Sequence, residues 1–370
     1  MSGEPGLNEP IRLGFIGGGI NSAVGYTHYV ASRMDGHFEV VAGCFSRDAQ
    51  TNRQSAERMH IAADRRYESI EDLLSSEQGR LDAVCVLTPT PLHFDNVMGA
   101  VELGHNVICE KALAVSVKQG AEMVGALHKT GQFCGVTFNY AGYPMVREAR
   151  AMIQQGVLGR LNHVICEMPQ ETFSRADSQP QPWRQRDYEI PCVSLDLGVH
   201  VHHLVRYVTG DPVLRNVSAR HATHGRLKDV FDTVTLTAEY EDDLLVNMLW
   251  GKAFLGERNG LNIRIFGDQG SLCWRQTDPE ILLFAAADGS VTQLDRGLTH
   301  QMLTDDAKQG RFKAGHPAGF IEAFANLYND FGACLRGDER KRDHVEAYFS
   351  AASALSGLEF LEALQGEFCS

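Results

Sequence analysis

Short apolar runs alternate with segments of helical period through the first third of the chain. IRLGFIG over 11–17, FEVVAGCF over 38–45, LDAVCVLT over 81–88, NVICEK over 106–111 and FCGVTF over 133–138 have the composition of strands. Helical patterns lie between them, over about 20–35, 48–59, 93–104 and 116–131. Strands alternating with helices make βαβ units, whose crossovers cover both faces of a parallel sheet. The pattern predicts a doubly wound α/β domain over residues 1–140.

The texture changes beyond that point. A helix is expected over 143–156 and a strand over 161–168, followed by the polar, proline-bearing SQPQPWRQRDYEIP and a helix carrying SLDLGVHVHHL, residues 194–204. From 230 to 295 the period is two, as in DTVTLTAEY, DLLVNMLW and LNIRIFG, which predicts antiparallel strands. Two helices, about 317–336 and 343–364, close the chain, and no internal repeat or low-complexity tract interrupts it.

Length and composition narrow the classes. A chain of 370 residues, 44% hydrophobic and 22% charged, suits two globular domains that each bury a core. No apolar run approaches the ~20 residues that span a bilayer, and MSGEPGLNEP lacks the basic start and apolar core of a signal peptide. A soluble, cytoplasmic chain with no membrane partner is expected. The nine cysteines are odd in number, form no C-x-x-C and sit partly inside apolar runs, so they read as buried, reduced thiols. A net charge of -13, with no offsetting basic cluster, argues against nucleic acid.

The first βα turn holds GFIGGGINS. Gly17 and Gly19 allow a tight turn and a close approach to a pyrophosphate, which the following helix N-terminus stabilises; Ser22 takes the third fingerprint position. At the end of the second strand, CFSRD places Ser46 and Arg47 where a 2′-phosphate is received. Asp48, one residue on, could serve a 2′-hydroxyl instead, so the residues lean to NADP and leave NAD open.

Glu110 and Lys111 directly follow NVIC, placing the lysine at the carboxyl end of a sheet strand, where open α/β sheets bind ligands. There it could hold a substrate hydroxyl and favour its deprotonation; the competing reading is a surface lysine. GFIGGG, TPTPLH at 88–93, EKA at 110–112 and DLGVH at 196–200 together resemble the Gfo/Idh/MocA oxidoreductases. The marks of that family are a Gly-rich turn, Pro-x-x-x-His, Glu-Lys-Pro and an Asp-x-Gly-x-His helix. The resemblance continues through GLNIRIFGDQGSLCW and GHPAGFIEAFANLY, and is strongest to the branch that oxidises cyclitols and free sugars.

The resemblance implies an N-terminal Rossmann domain and an α+β domain over 141–370 with an open, mostly antiparallel sheet. Such sheets often serve oligomer contacts, so a homodimer or homotetramer is expected. It also implies that Lys111, Asp196 and His200 flank the nicotinamide, and that Pro89, His93 and Glu110 join the glycine-loop and Ser46-Arg47 residues around the cofactor. Two departures stand out. Ala112 replaces the usual proline, loosening the turn that aims Lys111, and EIPCVS occupies the place of a glycine-rich run, altering the substrate pocket.

Asp196 and three histidines fall within SLDLGVHVHHL. At ~100° per residue, Asp196, His200 and His203 share one helix face and His202 lies roughly 120° away. A zinc site wants three or four converging ligands, whereas the other histidines are scattered, so no metal is expected. Histidine suits the general base of alcohol oxidation: His200 is expected to take the proton, with Asp196 orienting it. The other reading of the cluster is a satisfied packing seam, favoured for His202. His203 and Arg184 are candidate substrate contacts, and Trp183 either covers a sugar ring or anchors its loop. His316 is expected to cap the following helix, and Asn139 and Tyr140 to wall the cofactor. The rival functions are a dehydrogenase of nucleotide-linked or phosphorylated sugars, with Arg184 and Arg186 as its local basic residues, and a non-catalytic NAD(P)-binding sensor.

Overall fold

The computed structural model describes residues 9–298, 302–304 and 310–365. The chain divides into two compact units, one of Met1–Asn139 with Phe320–Ser356 and the other of Tyr140–Gly319 with Gly357–Ser370.

The first unit runs through β1 (Ile11–Gly17), α1 (Gly25–Arg33), β2 (Phe38–Cys44), α2 (Ala49–Arg58), α3 (Ile70–Ser76), β3 (Ala83–Leu87), α4 (His93–Glu102), β4 (Asn106–Cys109), α5 (Val117–Thr130) and β5 (Cys134–Val136). Its five strands form a parallel sheet in the order β2-β1-β3-β4-β5. β3 is buried along its whole length, as a strand covered on both faces must be. The order reverses between β1 and β3, where Gly17 pairs with Leu87, and such a switch point is where open α/β sheets bind ligands. Asp48, Ser69 and Ser116 cap α2, α3 and α5 by accepting backbone N–H bonds. The short α3 was not expected, because barely two turns carry little periodic signal.

The second unit contains α6 (Pro144–Gln154), β6 (Leu161–Pro169), a π-helical turn over Ser194–Gly198 and α7 (Val199–Thr209). Seven more strands follow: β7 (Leu214–Ala222), β8 (Thr233–Tyr240), β9 (Leu245–Gly251), β10 (Asn262–Gly267), β11 (Gly270–Arg275), β12 (Ile281–Ala286) and β13 (Val291–Asp295). They form one sheet in the order β13-β12-β11-β10-β6-β9-β8-β7. Only β6 and β9 pair in parallel; the other neighbours are antiparallel. On β6, Val164, Cys166 and Met168 are buried on the face that α7 packs against, while His163, Ile165 and Glu167 on the opposite face are half-buried. β7 escaped the sequence pattern because it is a mostly exposed edge strand without clean alternation.

Three helices, not two, close the chain: α8 (Phe320–Leu335), α9 (Glu339–Tyr348) and α10 (Ala351–Ala363). The break falls where Phe349 accepts the Val136 N–H at 2.6 Å and Ser350 bridges Gly135, so the backbone pairs with β5 instead of continuing a helix. Residues 320–356 thereby depart from the expected second domain of 141–370. The cause is packing: α8 lies against α1, the Tyr328 hydroxyl meets His28, and Phe331 sits edge-on to Phe133. Of the eight described cysteines, all are free, and all but the half-buried Cys273 are buried; Cys369 lies outside the described residues. No described helix is long and apolar enough to cross a membrane.

Candidate active site

At the end of β1, Gly17 and Gly18 take φ of 80° and 72°, a region that a β-carbon disfavours. A β-carbon on Gly19 would stand 2.9 Å from the Phe45 carbonyl oxygen. The helix expected from about residue 20 begins instead at Gly25, where a β-carbon would meet the Gly18 oxygen at 1.9 Å. Gly25 therefore supplies the close packing that the sequence pattern assigned to position 22. Ser22 does something else: its hydroxyl accepts the N–H groups of Val24 and Gly25 at 3.3 and 3.1 Å and caps the start of α1. The cradle left by the missing β-carbons fits the close approach of a dinucleotide pyrophosphate.

Beyond β2, the Ser46 hydroxyl accepts the Asp48 N–H at 3.1 Å. Asp48 in turn accepts the Thr51 hydroxyl and N–H at 2.6 and 2.8 Å, and these bonds hold its pKa below the usual carboxylate range. Its carboxylate is thus engaged as a helix cap, while Arg47 beside it is exposed. After β3, the Pro89 carbonyl accepts the Leu92 N–H and starts a single turn that leads into α4.

Lys111 stands two residues past β4, at the carboxyl end of the sheet, and the Lys111–Ala112 peptide is cis. Glu110, expected near the cofactor, turns inward: its Oε1 meets His28 Nε2 at 2.9 Å and accepts the Thr137 hydroxyl at 2.5 Å. The other His28 nitrogen lies 2.8 Å from the Tyr328 hydroxyl. Burial opposes charge on His28, but Cys85 and the Glu110 carboxylate outweigh it and carry its pKa up to about 9. Burial would likewise raise Glu110, and His28 brings it below its ordinary value. The two form a buried ion pair. His93 does not simply face a cofactor either. Its ring nitrogens lie 2.7 Å from the Ala112 oxygen and 2.8 Å from the Thr88 oxygen, tying the turn after β4 to the turn after β3. Burial lowers its pKa, and the contacts with the Thr88 and Ala112 carbonyls act in the opposite direction.

In the second unit, Asp196 lies in the π-helical turn, so uniform α-helical arithmetic does not describe its relation to the histidines that follow. Gly198 makes the turn possible, since a β-carbon there would press on the Trp250 ring at 2.9 Å. The Trp250 N–H donates to Ser194 Oγ at 3.2 Å. Arg184 grips Asp196 with two bonds, Nε to Oδ2 at 2.8 Å and Nη2 to Oδ1 at 3.2 Å, and Lys252 Nζ donates to Oδ2 at 2.5 Å. Trp183 lies under the Arg184 guanidinium at 4.3 Å and donates its N–H to Gln181. Arg186 is exposed and packs over Tyr188.

All three histidines are buried. His200 meets the edge of Tyr140, with centroids 4.7 Å apart, and Asn259 donates to the Tyr140 hydroxyl at 3.0 Å. His202 stacks on Phe360 at 4.2 Å, and burial with Arg206 nearby pushes its pKa down to about 3. His203 stacks on Tyr207 at 6.0 Å. Asn139 is buried at the end of the first unit's opening segment. His316 does not take the N-cap position expected of it: it is exposed, α8 starts four residues later, and its carbonyl accepts from Arg296 at 2.5 Å. Among the described residues no three of His, Cys, Asp or Glu converge as a metal centre requires. Lys252 went unnoticed in the sequence, where its only signal is a lysine directly after the apolar strand LVNMLWG.

Two family models match the chain, one described as an oxidoreductase family with an NAD-binding Rossmann fold over residues 11–138, the other as a GFO/IDH/MocA C-terminal domain over 146–273. The uncharacterized oxidoreductase YfiI of Bacillus subtilis (strain 168) is 27% identical over 98% of this chain and 95% of its own. The 1,5-anhydro-D-fructose reductase of Ensifer adhaerens is 27% identical over 56% of this chain and 60% of its own. The inositol dehydrogenase homolog of Azotobacter vinelandii, solved with NADH and myo-inositol, superposes with a TM-score of 0.88 at 28% identity, over 96% of this chain and 94% of that one.

Proposed function

Because the chain belongs to the GFO/IDH/MocA oxidoreductase family, we propose that it is an NAD(P)-dependent dehydrogenase acting on a secondary alcohol of a free sugar or cyclitol. The observation that carries this reading is Lys111 at the carboxyl end of β4, in a parallel sheet whose glycine cradle stands at the switch point. Gly17, Gly19 and the start of α1 would hold the dinucleotide. When bound, its nicotinamide supplies hydride chemistry.

In this reading Lys111 holds the substrate hydroxyl and stabilises the developing alkoxide, and His200 takes the proton. Asp196, clamped by Arg184 and Lys252, fixes the electrostatics of its turn and the orientation of His200. His203 and Trp183 remain proposed substrate contacts. The lean to NADP rests on Ser46, on Arg47 and on Asp48 being taken up as a cap; the NADH in the Azotobacter vinelandii relative favours the other choice. A phosphorylated or nucleotide-linked substrate is less well served, since Arg184 is committed to Asp196. Work in the reducing cytoplasm, supported by the free cysteines, belongs to the same proposal. So does a homodimer or homotetramer, supported by the half-buried Ile165, Leu249 and Phe266 on one face of the large sheet.

The test is a panel of free sugars, cyclitols, sugar phosphates and nucleotide sugars, offered with NAD+ and NADP+ and read by reduced-cofactor absorbance. Turnover of free sugars or cyclitols is expected, and Lys111→Ala should cut it by ~10²-fold or more with cofactor binding largely kept. Turnover confined to phosphorylated or nucleotide-linked sugars refutes the substrate class. Cofactor binding without any turnover supports the sensor.

A further inference from the structure

A lysine on a four-carbon stem delivers its ammonium only as accurately as its backbone is held, and a displacement of 1 Å at a reacting centre can cost about 10²-fold in rate. The chain on either side of Lys111 is fixed by a different buried histidine. Before it, Glu110 bonds with His28 and Thr137; His28 is fully buried, meets Tyr328 through its other nitrogen and lies edge-on to Phe324 at 4.8 Å. After it, the Ala112 carbonyl lies 2.7 Å from His93, whose far nitrogen reaches Thr88.

Stability alone does not account for the first anchor, because a buried ion pair often holds a fold no better than apolar residues of equal volume. The second anchor uses a backbone carbonyl, so it serves at position 112 whatever the side chain. Both tie the turn after β4 to elements next to it in the fold: α1 and α8 through His28, and the turn after β3 through His93.

We propose that His28 and His93 are positioning residues for Lys111, His28 acting through the Glu110 side chain and His93 through the Ala112 carbonyl. The proposal rests on the reading of Lys111 as the hydroxyl-holding residue. A residue that acts only by aiming Lys111 has nothing left to aim once the lysine is gone, so a double-mutant cycle separates positioning from a general structural role.

The measurement is kcat and KM for the oxidised alcohol, with cofactor Kd by fluorescence titration, for His93→Leu in the wild-type and Lys111→Ala backgrounds. In the wild type, kcat should fall by about 10-fold or more while cofactor Kd moves less than about twofold, with His93→Gln recovering part of the loss. In the Lys111→Ala background the same change should cost less than about twofold. Tyr328→Phe, which deletes only the hydroxyl behind His28, should lower kcat by about threefold in the wild type and leave the Lys111→Ala enzyme unchanged; it decides the matter if His93→Leu does not fold. Equal fractional losses in both backgrounds, or wild-type kcat in both folded variants, overturn the clamp while leaving the role of Lys111 standing. Normal turnover by Lys111→Ala itself overturns both.

Discussion

Lys252 shows how a side chain without a motif can matter. It follows β9, is 5% exposed, and shares the Asp196 Oδ2 atom with Arg184. In the proposed mechanism a carboxylate engaged by two cations leaves the proton to His200, and the clamp fixes charge in its turn. Lys252→Met removes one of the cations that Asp196 meets in a buried setting; since breaking a buried pair is costly, kcat is expected to fall by about tenfold or more and Tm to drop. Unchanged steady-state kinetics would remove Lys252 from the site. Arg47 is the second single-residue test. It is exposed beside a capping Asp48, and Arg47→Ala should weaken NADP by about 1.5–3 kcal/mol while barely touching NAD, read by titration of both cofactors. Equal losses would return the choice to the neighbouring residues.

The π-helical turn over Ser194–Gly198 sets the placement of Asp196 among the elements. The motif DLGVH can be read from the chain, but its helical phase cannot, because the turn depends on Trp250 and Leu361 pressing against Gly198 from elsewhere in the fold. In an unobstructed helix, glycine to alanine would be favourable by about 1 kcal/mol. Here the added methyl would sit 2.9 Å from a fully buried indole, and crowding of this kind costs about 1–3 kcal/mol. Crowding wins: Gly198→Ala should lower Tm and turnover together, and a raised Tm would show that Trp250 gives way. The same division holds at the glycine loop, where the pattern located the turn but not the start of α1, which the contact of Gly25 with the Gly18 carbonyl decides.

At the scale of the whole molecule, buried histidines of opposite character bound the pH range of stability. His202, buried, and His221, half-buried on β7, are held uncharged, with pKa values pushed down to about 3 and about 4, chiefly by removal from water. Below their ordinary value of about 6.5 the unfolded chain binds protons that the folded chain refuses, so their contribution is present above that pH and is lost as the pH falls toward those values. His28, raised to about 9, works the other way: its contribution is full below about 6.5 and lost as the pH rises through about 9. Tm measured against pH should therefore decline on both sides of neutrality, and His202→Phe, which keeps a ring against Phe360, should flatten the acid side. A Tm constant from pH 7 down to about 4 would contradict the burial of these rings as neutral groups.

The strands of the first 139 residues, and their helices other than the short α3, were legible from the chain because each buried strand writes its own apolar run, and Gly17, Lys111, Asp196 and His200 stand in local patterns that survive without knowledge of the fold. What involves residues distant in sequence was not. Glu110 looked like a cofactor contact until His28, 82 positions away, claimed its carboxylate; Lys252 reaches Asp196 across 56 positions; and Phe320–Ser356 joins the first unit because α8 packs on α1. Periodicity and short motifs record what a residue does to its neighbours in the chain. Ion pairs, helix phase and unit membership depend on which surfaces meet after folding, and only the tertiary structure fixes those.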